Sequence, residues 1–180
     1  MQHCKMLLKI LSIFIFIVVI VSSCSYECKE LEYKNGLAYE KSTGNPANGK
    51  YECIETRGNS GMQSTHKTVS NFENGYPIGK WEYYYQDDLI QNGEYLSEDK
   101  FKKEIIKLTE AQTVLIETWY EGNYGHLNVD LYFPQKTLDS IETSNLQKLF
   151  GKELCEKHNL KYTYFRQKTD SSWLKSIRVK

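Results

Sequence analysis

The sequence predicts a mainly β protein with an α+β C-terminal part. The chain has 180 residues, and its 14 tyrosines stand against only three prolines. Tyrosine-rich sequence punctuated by glycine favours strands and turns. The first half contains an internal repeat of hairpin-like segments, and the second half alternates apolar and polar residues on either side of one helical pattern. We therefore expect a sheet of β-hairpins followed by a small ββαββ module.

Residues 1–23 are typical of a targeting segment and not of a folded domain. Lys5 and Lys9 supply positive charge ahead of residues 10–21, which are apolar apart from one serine. This apolar run is too short to cross a bilayer, because a transmembrane helix needs about 20 such residues. We expect the segment to be removed from the mature protein.

The targeting segment leads into residues 21–24, which read Val-Ser-Ser-Cys. This tetrapeptide resembles the lipobox of bacterial lipoprotein signals, in which the cysteine thiol receives a diacylglyceryl group. The resemblance implies that the mature protein begins at Cys24 and is held by acyl chains in the cell envelope, at the periplasmic face or the surface of the outer membrane. The alternative is an ordinary signal peptide, whose A-x-A-like cleavage pattern is absent here, or an uncleaved anchor.

The mature chain is close to electrically balanced. Loss of two lysines with the targeting segment leaves 21 basic residues against 23 acidic ones. We expect no nucleic-acid partner, because such a partner requires a basic surplus or a clustered basic face. A short polar tether, residues 24–31, connects the anchor to the fold.

Three cysteines follow Cys24. A disulfide between Cys28 and Cys53 is compatible with export, and so is the alternative of buried, unpaired thiols. With Cys155 the number is odd, so at least one thiol is free or bonds another chain. The sequence has no C-x-x-C spacing, and we expect neither a metal site nor a cofactor.

The internal repeat has two copies with the same order of parts. Residues 33–37 (Tyr-Lys-Asn-Gly-Leu) match residues 72–76 (Phe-Glu-Asn-Gly-Tyr), and residues 49–52 (Gly-Lys-Tyr-Glu) match residues 79–82 (Gly-Lys-Trp-Glu). A partial third copy is Asn-Gly-Glu-Tyr at residues 92–95. Because Asn and Gly both tolerate positive φ, each Asn-Gly pair predicts a tight hairpin turn.

The second copy resembles the bacterial variant of the MORN repeat found in antitoxin-like families, N-G-x-x-x-G-K-W-x-x-Y. The matching residues are Asn74, Gly75, Gly79, Lys80, Trp81 and Tyr84. The resemblance covers residues 32–96 and implies hairpins stacked into one sheet. The copies are unevenly spaced, so residues 40–47 and 56–70 are expected to be insertions or long loops.

Aromatic side chains of the repeat are the candidate binding residues. In residues 81–86 the odd positions lie on one face of a strand and the even positions on the other, and residues 87–88 form the next turn. The candidates are Tyr76, Trp81, Tyr84 and Tyr95. They form a contact patch, since Tyr and Trp are enriched at binding hot spots, or they are only the stacking residues of the repeat.

The connecting segment, residues 97–112, fits two structures. Phe101, Ile105 and Leu108 have helical spacing and follow polar residues suited to a cap and a first turn. Residues 105–108 also read as a short strand. We favour the helix.

Residues 113–180 read as the ββαββ module. Residues 114–120 and 126–133 predict a hairpin around residues 121–125. The side chains expected to point inward are Leu127, Val129, Leu131 and Phe133.

The rest of this module predicts one helix and a second hairpin. Ser144 and Gln147 match a capping box, and Leu146, Leu149, Phe150 and Leu154 form an apolar stripe for a helix that ends near His158. Asn159 suits a left-handed helix end. Residues 161–167 and 173–179 then predict two further strands.

The sequence contains no recognised catalytic motif. His66, His126 and His158 are isolated in sequence, and no metal-binding or nucleophile pattern surrounds them. We predict no catalytic residues, and a lipid-anchored envelope protein that acts as a noncatalytic binding or scaffolding module for a protein partner. The alternatives are an immunity or antitoxin-type lipoprotein that neutralises a toxin by direct binding, and an envelope hydrolase with an unrecognised site.

Overall fold

The computed structural model describes residues 31–57, 63–133, 138–169 and 172–179. A hairpin of β1 (Leu31–Lys34) and β2 (Leu37–Glu40) forms a small separate sheet. The main sheet has eight strands: β3 (Gly49–Arg57), β4 (Ser64–Glu73), β5 (Tyr76–Tyr85), β6 (Asp88–Leu96), β7 (Thr113–Glu121), β8 (Tyr124–Tyr132), β9 (Tyr162–Thr169) and β10 (Ser172–Val179). The helical segments are α1 (Asp99–Thr109), α2 (Ser140–Leu146), a π-helical turn (Gln147–Gly151) and α3 (Lys152–Lys157). The predicted fold class, mainly β with an α+β C-terminal part, is confirmed.

The two predicted regions share one continuous sheet. Its strand order is β10-β9-β8-β7-β6-β5-β4-β3, and β6 of the repeat region pairs antiparallel with β7 of the C-terminal region. All neighbouring strands are antiparallel except β8 and β9, which run parallel. A parallel pair needs a crossover connection, and α2, the π-helical turn and α3 supply it.

Both Asn-Gly pairs of the repeat form hairpin turns, as predicted. Asn35 and Gly36 have φ of 51° and 82°, and Asn74 and Gly75 have nearly the same values, 50° and 81°. The partial third copy does not form a turn, because Gly93 lies inside β6.

The predicted turn at residues 87–88 is displaced by one residue. Positive φ occurs at Gln86 and Asp87, while Asp88 already pairs with Tyr85 as the first residue of β6. The two-residue turn that closes this hairpin therefore comprises Gln86 and Asp87.

The insertion after β2 separates the two copies in structure. In the second copy β5 runs without a break from the Asn-Gly turn, whereas residues 41–48 interrupt the first copy between β2 and β3. A loop over the whole of residues 56–70 is wrong, since β3 extends to Arg57 and β4 begins at Ser64. Residues 58–62 of the expected insertion or loop lie outside the described residues.

The β1–β2 hairpin packs against the end of the main sheet where β4 turns into β5. The backbone of Ala38 donates to Gly75, and Gly75 donates to Ala47, both at 2.9 Å. A small buried cluster joins the two sheets there. Its members are Leu31, Ala38, Ala47, Tyr51 and Phe72.

The connecting segment is a helix, as favoured. Phe101 and Ile105 are buried, but Leu108 is 58 % exposed and Thr109 is buried in its place. Thr109 follows Ile105 by four residues, which keeps it on the buried stripe. Its hydroxyl donates to the carbonyl of Ile105 at 2.6 Å, so burial of this polar side chain leaves no unpaired donor.

The C-terminal helix begins earlier than predicted. Asp139 is its N-cap and accepts hydrogen bonds from the backbone N–H groups of Ile141 and Glu142, while the Glu142 side chain accepts from the Asp139 backbone. This capping box replaces the expected one at Ser144 and Gln147. The helix ends where Asn159 takes φ of 54°, as predicted.

The main core lies between these helices and strands β7 to β9. The predicted inward residues of β8 are all buried there, but Leu149 of the predicted helix stripe is 58 % exposed. The core comprises Phe101, Ile105, Ala111, Val114, Ile116, Leu127, Val129, Leu131, Phe133, Leu138, Leu146, Phe150, Leu154, Leu160 and Phe165. None of these belongs to β3, β4 or β5, so we call β7–β9 the covered half of the sheet and β3–β5 the open half.

Candidate functional site

The sheet has a second face, opposite the helices, that is rich in aromatic side chains. Ile116, Val129 and Phe165 are paired across β7, β8 and β9 and point into the core. Because side chains alternate along a strand, their neighbours in sequence point to the other side. We call this side the aromatic face. Its rings include Trp81, Tyr83, Tyr95, Trp119, His126, Tyr162 and Tyr164.

A buried ion network lies at the centre of the aromatic face. The guanidinium of Arg166 donates to Glu117 at 2.5 Å and, through both Nε and Nη2, to Asp130. Lys168 donates to Asp130 at 2.5 Å, and Asn128 donates to Glu117 at 3.1 Å. Two cations therefore balance two carboxylates, each held by hydrogen bonds.

Burial and pairing act against each other in this network. Burial raises the pKa of Glu117, with a contribution from the charge of Asp130, and Arg166 opposes the rise. Burial works against the charge of Arg166, but Asp130 and Glu117 outweigh it, so the pKa of Arg166 rises. Removing one partner of an ion pair would leave a buried charge uncompensated. The free energy lost in this way exceeds the free energy that the intact pair contributes to folding.

A cavity of about 280 Å³ opens beside the network. Its lining comprises Thr68, Ser70, Trp81, Gln91, Tyr95, Glu117, Trp119, Asn128 and Arg166. Trp81 is only 9 % exposed, and its indole Nε1 has no hydrogen-bond partner within the described residues. A buried donor without a partner is uncommon in folded proteins.

Gly93 allows the Trp81 ring to lie against β6. A Cβ atom at Gly93 would sit 2.7 Å from the ring and 1.9 Å from the carbonyl oxygen of Thr118. No larger residue fits there without displacing the strand. The glycine of the partial third repeat copy thus serves close packing and not a turn.

A second cavity of about 210 Å³ adjoins the first. It shares Thr68 and Ser70 with the first cavity, and its remaining lining is Tyr33, Cys53, Glu55, His66 and Tyr83. Tyr33 belongs to the β1–β2 hairpin, which therefore borders this part of the face. His66 Nδ1 is hydrogen-bonded to the Tyr83 hydroxyl at 2.5 Å.

The structure brings together two of the four predicted binding residues. Trp81 and Tyr95 line the same cavity. Tyr76 is 45 % exposed at the end of the sheet, beside the β4–β5 turn. Tyr84 lies on the opposite face, where its hydroxyl donates to Glu82 at 2.8 Å and the Lys67 ammonium lies 4.3 Å from its ring centre.

The sequence did not point to the network residues of this site. Glu117 and Arg166 are 49 positions apart and meet only because β9 pairs in parallel with β8. Trp119 follows Glu117 by two residues and so shares its face. The alternation of β7 was a signal for Trp119, but no local pattern reveals which strand lies beside β8.

The structure describes two of the cysteines, Cys53 and Cys155. Cys24 and Cys28 lie outside the described residues. Cys53 is disulfide-bonded, and its partner cysteine also lies outside the described residues. Cys155 is a free thiol whose Sγ lies 2.7 Å from the Thr163 hydroxyl, and burial raises its pKa.

Exposed apolar side chains gather at the end of the sheet away from the β1–β2 hairpin. They belong to the β5–β6 and β7–β8 hairpins, which lie side by side because Gln91 pairs with Glu121. We call them the hairpin rim. Its members are Tyr85, Leu89, Ile90, Tyr120 and Tyr124, with exposed fractions from 38 % to 60 %.

In the part of the chain that the structure describes, no group of three or more His, Cys, Asp or Glu residues is arranged to hold a metal ion. None of the helices described is both long and apolar enough to cross a membrane. No family model matches the chain, and no curated protein or solved structure is significantly similar to it.

Proposed function

We propose that the chain is a lipid-anchored envelope protein that binds a protein partner without catalysing a reaction. The anchor rests on the lipobox-like residues 21–24 and the apolar run before them. The binding role rests on the hairpin rim, whose exposed apolar side chains stand at one end of the sheet, Tyr120 on the helix side and Tyr124 on the aromatic face. Exposed apolar side chains that gather in one place mark protein contact sites.

The position of the rim supports a contact role. The tether leads into the β1–β2 hairpin, which packs at the Gly75 end of the sheet. Strands of ten residues extend about 30 Å from that end, and the rim lies at the far end. A protein anchored through Cys24 would thus hold Tyr120 and Tyr124 away from the point where the tether joins the fold.

The charged groups of the aromatic face support a noncatalytic role. Glu117 pairs with Arg166, and Asp130 pairs with Arg166 and Lys168, so both carboxylates are engaged in ion pairs. A general acid or base needs a free position within reach of a substrate proton. Paired charges instead suit a rigid binding surface.

The anchor is tested by growing cells with a clickable fatty acid. We expect label on the wild-type protein and none on Cys24→Ala. Label that persists in the variant, or is missing from the wild type, would contradict the anchor.

The contact role is tested with a photo-crosslinking amino acid placed in turn at Tyr124 and Tyr120. The matched control is Ile141, an apolar residue of α2 that is 71 % exposed and lies outside the rim. We expect the same protein adduct from both rim positions, none from Ile141, and its loss when Leu89→Asp is added. An adduct that forms equally at Ile141, or that survives Leu89→Asp, would refute the rim as the contact surface. If the adduct contains an exported toxin, the binding role becomes one of immunity.

A further inference from the structure

Cys53 on β3 is covalently joined to the part of the chain that precedes β1. The chain contains five cysteines, and one of them, Cys155, is a free thiol. Cys53 is disulfide-bonded. Its partner must therefore be one of the three cysteines that come before β1, which are Cys4, Cys24 and Cys28. The disulfide connects this N-terminal segment to β3, which is the edge strand of the main sheet.

The first described residues of the chain lie beside Cys53. Leu31, which begins β1, is buried in the same cluster as Tyr51, and Tyr51 precedes Cys53 by two residues on β3. Tyr33 of β1 lines the same small cavity as Cys53. A disulfide holds its two Cα atoms about 4.4–6.8 Å apart, and three residues of extended chain span about 10 Å. Cys28 precedes Leu31 by three residues, so the length of the chain allows it to reach Cys53.

The proposed lipid anchor removes the two other candidates. In a lipoprotein the sulfur of the acylated cysteine forms a thioether with the diacylglyceryl group, and a thioether sulfur cannot form a disulfide. This excludes Cys24. Cys4 leaves with the targeting segment. Only Cys28 remains, and this step rests on the proposed function.

Cys155 is poorly placed to compete for the bond. Its Sγ lies 2.7 Å from the Thr163 hydroxyl, and burial raises the pKa of the thiol. Because the thiolate is the species that attacks a disulfide, a raised pKa slows exchange. Cys155 also belongs to α3, which covers one side of the sheet, whereas Cys53 lines a cavity of the aromatic face on the other side. Cys155 is therefore the thiol left over from an odd number.

We propose that Cys28 and Cys53 form a disulfide through which the lipid anchor is attached directly to the edge strand β3. The bond forms by exchange with an oxidised dithiol of the envelope. The two thiols lose two protons and two electrons and join, and the disulfide of the oxidant becomes two thiols. Disulfides persist in the oxidising compartments that exported proteins reach.

The disulfide shortens the connection between the membrane and the fold. Residues 25–27 separate Cys24 from Cys28, and the four steps between these cysteines span at most about 14 Å. Without the bond, the seven steps from Cys24 to Leu31 span about 25 Å. Tyr124 of the hairpin rim belongs to β8, five strands from β3 in the sheet, which is about 24 Å at the usual strand spacing. The bond thus holds the edge strand close to the lipid and the rim on the side of the sheet away from the anchor.

Peptide mapping of the wild-type protein, extracted from membranes, tests the bond. Free thiols are blocked with N-ethylmaleimide before digestion with an endoproteinase that cleaves after glutamate, which separates Cys24 from Cys28 at Glu27. We expect residues 28–30 to be linked to residues 53–55 until a reductant is added, and Cys155 to carry the maleimide. Mass spectrometry of the digest before and after reduction is the measurement.

The outcomes of the mapping separate this proposal from the anchor on which it rests. A bond between Cys24 and Cys53 would overturn both, because the Cys24 sulfur would then not be acylated. Cys53 found with a maleimide, in protein that still carries the fatty-acid label, would overturn the disulfide alone.

Limited trypsin digestion of membranes tests whether the anchor is attached through the bond. Residues 24–28 contain no lysine or arginine, so a cut after Lys29 leaves the fold joined to Cys24 only by the disulfide. A new N-terminus at Glu30 verifies the cut. We expect the cleaved wild-type fold to stay in the membrane pellet and to be released almost completely when a reductant is added.

Variants complete the trypsin experiment. Cys28→Ser should be released by the cut alone, because no disulfide then bridges it. Cys155→Ser is the matched control and should behave as the wild type does. Release of the cleaved wild type without reductant, or retention of cleaved Cys28→Ser in the pellet, would contradict the proposal.

Discussion

The covered and open halves belong to one sheet, yet they differ in what surrounds them. In the covered half, Leu127, Val129 and Phe165 are fully buried beneath the helices. In the open half, residues such as Lys50 and Lys80 on the same side of the sheet are exposed. The covered half therefore contributes most of the apolar burial, which is the dominant favourable term in folding.

The two halves also differ in the direction of their strands. The parallel pair of β8 and β9 lies where the helical crossover closes one face of the sheet. The open half is antiparallel throughout, and antiparallel strands tolerate solvent on one side. Stability thus resides mainly in β7–β9, whereas β3–β5 contribute no residue to the main core.

The strongest test of this comparison removes a charge from each half. Arg166→Met leaves Glu117 and Asp130 buried without their shared cation, and we expect a loss of about 3–5 kcal/mol in the free energy of unfolding. The control, Lys50→Met, breaks an exposed pair with Glu52 at 3.6 Å and should cost less than about 1 kcal/mol. Urea denaturation measures both. Equal losses in the free energy of unfolding would show that the buried ion network stabilises the fold no more than the exposed pair does.

The second test compares apolar side chains of the same type. Leu154 is fully buried in the core, and Leu154→Ala should lower the free energy of unfolding by about 2–5 kcal/mol. Leu89 is 49 % exposed on β6, the strand that joins the two halves. Leu89→Ala should change stability by no more than about 0.5 kcal/mol. If both leucines cost the same, burial under the helices does not account for the stability of the fold.

The smallest expected effect is a pH dependence of the contact between two of the helices, α1 and α3. Glu98, the N-cap residue of α1, accepts a hydrogen bond from Lys157 at 2.8 Å and lies 3.0 Å from His158 Nε2, at the end of α3. The Lys157 ammonium, aided by His158, holds the pKa of Glu98 below its ordinary value against the opposing effect of burial.

The sign of this effect follows from linkage. A lowered folded-state pKa stabilises the fold above the unfolded-state pKa, about 4.3, and the gain is lost as pH falls through the lower folded value. We expect the wild type to exceed Glu98→Gln by about 0.2–1 kcal/mol near pH 6, the range for partly exposed pairs, and the gap to close toward pH 3. A gap that widens on acidification would reverse the assignment. Thermal melts across this pH range provide the measurement.

The sequence predicted those parts of the fold that are encoded locally. The two Asn-Gly turns follow from backbone preferences of adjacent residues, and the buried positions of β8 follow from alternation. The start of α2 was misplaced because two capping patterns occur close together. Tertiary contact decided between them, since buried Leu138 donates its N–H to Gln167 of β9 at 2.8 Å and fixes the chain just before Asp139.

The candidate site was predicted only in part, for a physical reason. Trp81 and Tyr95 belong to adjacent antiparallel strands, whose pairing follows from a short turn. Arg166 reaches Glu117 only through a parallel pairing across a helical crossover, and no local preference sets that register. The first cavity of the aromatic face is therefore lined partly by residues whose proximity follows from a hairpin and partly by residues whose proximity does not.

Native-state hydrogen exchange tests most directly whether the covered half holds the fold while the open half is less stable. Strands β4 and β8 are both interior strands of the sheet, so their hydrogen-bonded amides are a matched pair. We expect β8 amides to exchange only through global unfolding and β4 amides to exchange through a smaller opening with a lower free energy. Equal opening free energies for the two strands, with the same denaturant dependence, would contradict the account.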